Sequence, residues 1–308
     1  MARKQRGRPV HGWIVLDKPA GITSSQAVAA VRRHLDAAKA GHGGTLDPLA
    51  TGVLPVALGE ATKTVAWAMT GRKLYRFTLR WGEARDSDDA LGQVVAVSPA
   101  RPEPDAIRAH LPRFTGAILQ RPPAYSALKV AGARAYDLAR RGTPAELAPR
   151  AVEVASLTLI EVIDRDHARF EAVVGKGTYI RALARDLGQA LGTCAHVTEL
   201  RRHAVGRFTL DRAISLDKLA ALGHSAAASE HLLPVETALD DIPALALSEA
   251  EARALRFGQA VTPLRPSDRA RIDQFGDGAT LCATSGGKLV ALVAVESGGL
   301  RPVRVLKV

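Results

Sequence analysis

Cysteine is nearly missing: the 308 residues contain two, Cys194 and Cys282, far apart and each without a second cysteine beside it. A disulfide framework and a cysteine-built zinc site are thereby excluded, and a reducing cytoplasm is the expected compartment. No apolar run reaches the roughly 18 residues that span a bilayer, because Lys, Asp or Gly interrupts each candidate, so no membrane is expected. Acidic residues run short, 31 Asp and Glu against 42 Lys and Arg, which leaves a formal charge of +11 at pH 7. That excess favours an anionic partner, nucleic acid being the commonest large one; a merely solvated basic surface is the plainer alternative. Residues 1–10 carry Arg3, Lys4, Arg6 and Arg8 but are followed by no uninterrupted apolar run with a cleavage site. They read as a basic tail rather than a secretory signal. Without an apolar heptad or a self-pairing edge, a monomer is expected.

The rest is an ordinary globular mixture, 47% hydrophobic and 24% charged, long enough for one large domain and a smaller one. Strand-like and helix-like segments alternate irregularly, which predicts a mixed α/β or α+β core. Residues 12–16 form an apolar run before the turn Asp17-Lys18-Pro19-Ala20-Gly21. Thr23 and Gln26 are spaced as a capping box, with Ala27, Val28, Val31 and Leu35 on one helix face. Residues 75–81 alternate as a strand, and with the apolar run 94–97, beyond an acidic turn at 83–89, they predict a hairpin or meander. Residues 121–150 hold six Lys or Arg against two acids, with Tyr125 and Tyr136, and read as a basic excursion from the core. A strand over 167–174 turns at Gly175-Lys176-Gly177 into a helix capped by Thr178, buried through Ile180, Leu183, Leu187 and Leu191, and ended by Gly192. A boundary is expected at 233–243. Beyond it, residues 244–308 start helically at Ser248 and continue as short Val- and Leu-rich strands between glycines, a pattern suited to a small β-barrel.

The densest unusual segment is Gly41-His42-Gly43-Gly44-Thr45-Leu46-Asp47-Pro48-Leu49-Ala50-Thr51-Gly52-Val53-Leu54-Pro55. A carboxylate on a glycine-rich, proline-stiffened loop, with a histidine five residues before it, has the makings of a nucleophile or general base. An Asp-Pro turn with incidental glycines fits the same residues. A phosphate-binding P-loop does not, since the Gly-Lys-Ser/Thr ending is absent.

The segment resembles the catalytic loop of the TruB family, the tRNA pseudouridine-55 synthases, whose pattern G-H-x-G-T-L-D-P-x-A-x-G-V-L it matches at every defined position. Further similar segments follow in order: Leu16-Asp17-Lys18-Pro19, Gly59-Glu60-Ala61-Thr62-Lys63, Tyr75 with Phe77, residues 122–129, Lys176-Gly177-Thr178-Tyr179-Ile180-Arg181 and Leu200-Arg201-Arg202. The resemblance spans roughly residues 11–210. One departure shows, Arg85-Asp86-Ser87-Asp88-Asp89 in place of the family's T-D-T-x-D.

The resemblance implies a pseudouridine synthase fold of α+β class, with a large mixed, mostly antiparallel sheet over residues 11–235. It further implies a thumb-like RNA-binding insertion at about 124–150 and a PUA-like RNA-binding module over 244–308. The implied reaction isomerises uridine at position 55 in the T loop of tRNA: the base is flipped out, detached from C1′, rotated and rejoined through C5, with no metal or organic cofactor. Asp47 would be the essential carboxylate, attacking C1′ or C6 or assisting base departure. Arg181 would pair with it; a surface arginine paired with Asp186 is the plainer alternative. Tyr75 would stack on the uracil near C5, and His42 would fill the gap the base leaves. Lys18, Tyr179 and Leu200 would support the pocket. Lys63, Arg121, Lys129, Arg134, Arg140, Arg141, Arg201 and Arg202 would reach phosphates. A tRNA-folding chaperone and a guide-dependent synthase are the competing readings; the short tail weighs against the second.

Overall fold

The computed structural model describes residues 7–130, 132–143, 145–223, 225–262 and 266–307. Arg3, Lys4 and Arg6 of the basic tail and the side chain of Arg134 lie outside the described residues. A large mixed sheet forms the centre. Its strands run in the order Ile214–Ser215, Gly12–Lys18, Thr51–Leu58, Ala195–Val205, Lys73–Trp81, His167–Val174, Arg150–Val162 and Gly116–Gln120. Two neighbouring pairs are parallel, Gly12–Lys18 with Ile214–Ser215 and Thr51–Leu58 with Ala195–Val205; the others are antiparallel.

The first strand, Gly12–Lys18, is buried on both faces. Its side chains alternate. Ile14 and Leu16 point into one apolar cluster with the helix residues Ala27 and Val31, while Trp13 and Val15 point into a second on the opposite face. Helix Ser24–His34 is held at its start by the expected box, with Thr23 Oγ1 accepting from Gln26 N–H and the Gln26 carboxamide accepting from Thr23 N–H. Helix Ile180–Ala190 packs beside the strand Ala195–Val205 through Ile180, Leu183, Ala184 and Leu187.

Three local expectations are corrected. The run Val94–Val97 pairs with Glu83–Arg85 rather than with the strand over 75–81, which lies between His167–Val174 and Ala195–Val205. Tyr179, not Thr178, is the N-cap of the helix; the Thr178 hydroxyl donates instead to Glu153 C=O at 3.2 Å. The C-terminal strands make an open sheet among the described residues, not a barrel, in the order Ala244–Ala246, Thr280–Ser285, Lys288–Glu296, Gly299–Val305. Helix Glu249–Arg256 covers one face of it. From the other, Cys282, Leu289, Leu292 and Leu306 join the Trp13 cluster, so this sheet shares apolar packing with the central one. Residues 233–235 are pinned to the first strand, Trp13 exchanging backbone bonds with Leu233 and its indole N–H donating to Val235 C=O at 3.2 Å.

Candidate active site

The loop 43–50 is tied down on both sides of Asp47. Before it, Ser24 Oγ donates to Leu46 C=O and accepts from Leu46 N–H, both at 2.8 Å. After it, Pro48 C=O accepts from Gly21 N–H at 2.8 Å and from Lys18 Nζ at 3.5 Å. Lys18 is fully buried and also donates to Pro19 and Ile22 C=O at 2.9 and 2.8 Å. Burial lowers its pKa to about 8, with Arg202 pushing the same way against the pull of Asp47.

Arg202 holds the loop from beneath. The parallel pairing of Arg202 with Gly52 sets its side chain under residues 43–45. Nε donates to Val53 C=O at 2.7 Å, Nη2 to Gly44 C=O at 3.0 Å, and Nη1 to Thr45 C=O at 3.2 Å and the Tyr75 hydroxyl at 3.3 Å. Gly52 is required here: its φ is +96°, and a Cβ would stand 2.2 Å from Arg202 C=O. At 1% exposure Arg202 cannot be the surface phosphate contact expected of it.

Arg181, at 3% exposure, reaches three elements from one helix turn. Its Nη1 donates to Ser87 C=O at 2.7 Å and its Nη2 to Tyr125 C=O at 2.8 Å. Nε lies 2.9 Å from Asp47 Oδ2 and 3.6 Å from Asp89 Oδ2, close ion pairs but neither an aligned hydrogen bond. The alternative partner Asp186 belongs to Arg185, which also holds Asp88 at 2.9 Å. The divergent loop 85–89 thus buttresses Arg181. Sequence reasoning missed this role, because a carbonyl acceptor leaves no residue-type signal.

A cavity of about 260 Å³ opens beside the Asp47–Arg181 pair, lined also by Tyr75, Tyr179 and Leu200, and by Lys73, which the motifs did not single out. Burial raises the Tyr179 phenol pKa. A second cavity, of about 350 Å³, also borders the same pair and is lined by residues of loop 86–93 with Tyr125, Tyr136 and Arg140. His42 is not in the first cavity's lining. It sits half-buried in the short strand Ala40–His42, its pKa lowered by burial and by Arg202. Among the described residues no group of three or more His, Cys, Asp or Glu is placed to hold a metal ion, and no helix is long and apolar enough to cross a membrane.

The expected phosphate contacts divide. Arg121, Lys129, Arg140 and Arg141 are exposed around the excursion, which contains a hairpin (Lys129–Val130 with Ala133–Arg134) and helix Ala135–Arg140. Lys63 instead pairs with Glu60 at 2.7 Å and donates to Val305 C=O at 2.8 Å, joining the two sheets. Arg201 pairs with Asp17 at 2.8 Å.

Residues 32–180 match the family model for the TruB family pseudouridylate synthase N-terminal domain, and residues 181–240 that for the tRNA pseudouridylate synthase B C-terminal domain. A Rhodospirillum rubrum protein called tRNA pseudouridine synthase B is 54% identical over 306 residues, covering 99% of each chain. A Bradyrhizobium diazoefficiens protein of the same name is 55% identical over 316 residues, covering 99% of this chain and 90% of the other. Among solved structures, the archaeal box H/ACA sRNP Nop10–Cbf5 complex contains a chain similar at 26% identity and a TM-score of 0.72, covering 100% of this chain and 92% of that one. With the motif loop, the Asp47–Arg181 pair and the mixed sheet already in place, these matches show that the chain belongs to the TruB family of pseudouridylate synthases.

Proposed function

We propose that the chain isomerises uridine 55 in the T loop of tRNA, as a cytoplasmic monomer and without a guide RNA. The observation that carries this reading is the 2.9 Å contact between Asp47 and Arg181 in the wall of the cavity that holds Tyr75. Relatives over half identical along nearly the whole chain, named tRNA pseudouridine synthase B, support the substrate class. The likeness to the sRNP complex is at 26% identity and favours a guide-dependent action less.

The target base leaves the stack at a cost of a few kcal/mol and enters the cavity. Tyr75 stacks on it while its hydroxyl, bonded to Arg202, fixes the ring. Leu200 and Tyr179 form the remaining walls, and Asp47 meets the ribose or the base. His42 lies on the strand leading into this loop and takes the space the base vacates. The reading assigns no metal or organic cofactor to the reaction. The exposed cations Arg121, Lys129, Arg140 and Arg141, with segment 244–308 as a further RNA-binding module, hold the T arm.

Release of tritium from a T-arm stem-loop carrying [5-³H]uridine at the target position tests the reading. Release is expected, and none from an RNA labelled only elsewhere; binding that speeds tRNA folding without release would favour a chaperone instead. Affinity should fall linearly with salt on log–log axes. Arg141→Ala or Lys129→Ala should each lower that slope by up to about one unit, measured by filter binding. Arg181→Lys keeps the charge but replaces two directed donors and the Nε ion pair with one ammonium, so Asp47, Ser87 and Tyr125 cannot all be reached. Its single-turnover rate should drop about a hundredfold at saturating RNA, the size of effect expected of a misplaced catalytic group.

A further inference from the structure

We propose that Lys73 is a catalytic residue of this site, its ammonium holding the negative charge that the uracil carries once it leaves C1′. The inference rests on the uridine-isomerase reading above and adds a residue to it.

Lys73 and Tyr75 stand two apart on one strand, so their side chains share a face, and both line the cavity. Lys73 is 7% exposed. Its Nζ donates to Met69 C=O at 2.5 Å, and no second acceptor takes its remaining N–H groups among the described residues. Burial, the larger cause, and the positive charges of Arg202 and Lys176 lower its pKa to about 8. Asp47 is the one carboxylate among the described residues lining the cavity, and Arg181 already lies 2.9 Å from it. An ammonium buried without a carboxylate is costly and is a weak choice for packing alone. A site that keeps one next to an empty space is suited to an anion that forms there.

The reaction makes such an anion. When the C1′–N1 bond breaks, its electron pair stays with the base, and the charge spreads over N1 and the two carbonyl oxygens. After rotation C5 supplies a pair to C1′, the C5 proton leaves, and N1 takes a proton, so atoms and charge balance in the isomer. A fixed cation in the cavity wall attracts this anion far more than it attracts neutral uridine, so Lys73 acts on the rate and hardly on RNA affinity.

The proposal gives a sign to the pH profile. Below about pH 8 Lys73 carries its proton, and above it the charge is lost, so the rate falls as pH rises through 8. Around the cavity the other charged or titratable groups are Asp47, Tyr75, Lys176, Tyr179, Arg181 and Arg202. Lys18, beneath the loop, also has its pKa lowered to about 8 and must be separated from Lys73.

The experiment is single-turnover tritium release by wild type, Lys73→Met and Lys73→Arg from neutral to alkaline pH, with RNA affinity measured in parallel. Lys73→Met should lose about a hundredfold in rate with affinity unchanged, a loss typical of removing one preorganised donor. Lys73→Arg should keep part of the rate and lose the alkaline fall, because a guanidinium stays charged. It also keeps the test decisive if Lys73→Met does not fold. Wild-type turnover by Lys73→Met, or an unchanged alkaline fall in Lys73→Arg, would overturn the proposal, the second result pointing to Lys18. A wild type that releases no tritium would remove the isomerase reading itself.

Discussion

Asp47→Asn should lower turnover of a T-arm RNA by more than about a thousandfold and leave RNA affinity within about twofold, as expected for loss of a group that acts on the reacting atoms. Separation of the two quantities follows from the geometry. The loop is shaped by backbone bonds at Leu46 and Pro48 and by Arg202 beneath Gly44 and Thr45, none of which uses the Asp47 carboxylate. Arg181 is not stranded by the change, since Asp89 remains 3.6 Å away and the Ser87 and Tyr125 carbonyls keep their bonds. The asparagine variant should therefore melt close to wild type. An unfolded variant, or one that loses binding with turnover, would mean that Asp47 is a structural residue.

The second large effect belongs to Arg202. Arg202→Met removes the donors to three backbone carbonyls, and at about 1–3 kcal/mol per buried acceptor left unsatisfied, taken near the lower end, the chain should lose about 4 kcal/mol. For a protein of this size that corresponds to a melting point lower by about 10 °C. The residual folded protein should also turn over slowly, because the loop carrying Asp47 and the hydroxyl of Tyr75 lose their common anchor. Arg202→Lys, restoring one donor of the three, should recover only a minor part of either quantity. Thermal melts and single-turnover rates on the same preparations check both. Full stability together with weakened RNA binding would return Arg202 to the surface role that its place beside Arg201 first implies.

What was legible in the sequence follows from which interactions are local. The Thr23–Gln26 box lies within one turn, and the strand His167–Val174 alternates cleanly, so both were readable from neighbouring residues. The Asp47 loop and Arg181 were legible through the motif, and the structure brings them together across more than a hundred residues of chain. The partner of Val94–Val97 was not legible, since Glu83–Arg85 has two charged residues in three and reads as part of an acidic turn rather than a strand. The C-terminal strands likewise alternate whether their sheet closes or, as here, lays one face on the Trp13 cluster. Buried cations were hardest. In a chain with 42 Lys and Arg, nothing in the local pattern separates Arg202 and Lys73 from an exposed Arg141. Their burial is set by neighbours on other strands and by carbonyls that the backbone happens to leave free.

The central claim, a uridine-to-pseudouridine isomerase aimed at one T-loop position, is tested most directly by incubating an unmodified tRNA transcript with the wild-type chain and mapping pseudouridine along the whole RNA. The account predicts pseudouridine at position 55, approaching one per tRNA, and none elsewhere. Pseudouridine at other positions, or an unmodified tRNA after prolonged incubation with the folded protein, would contradict it.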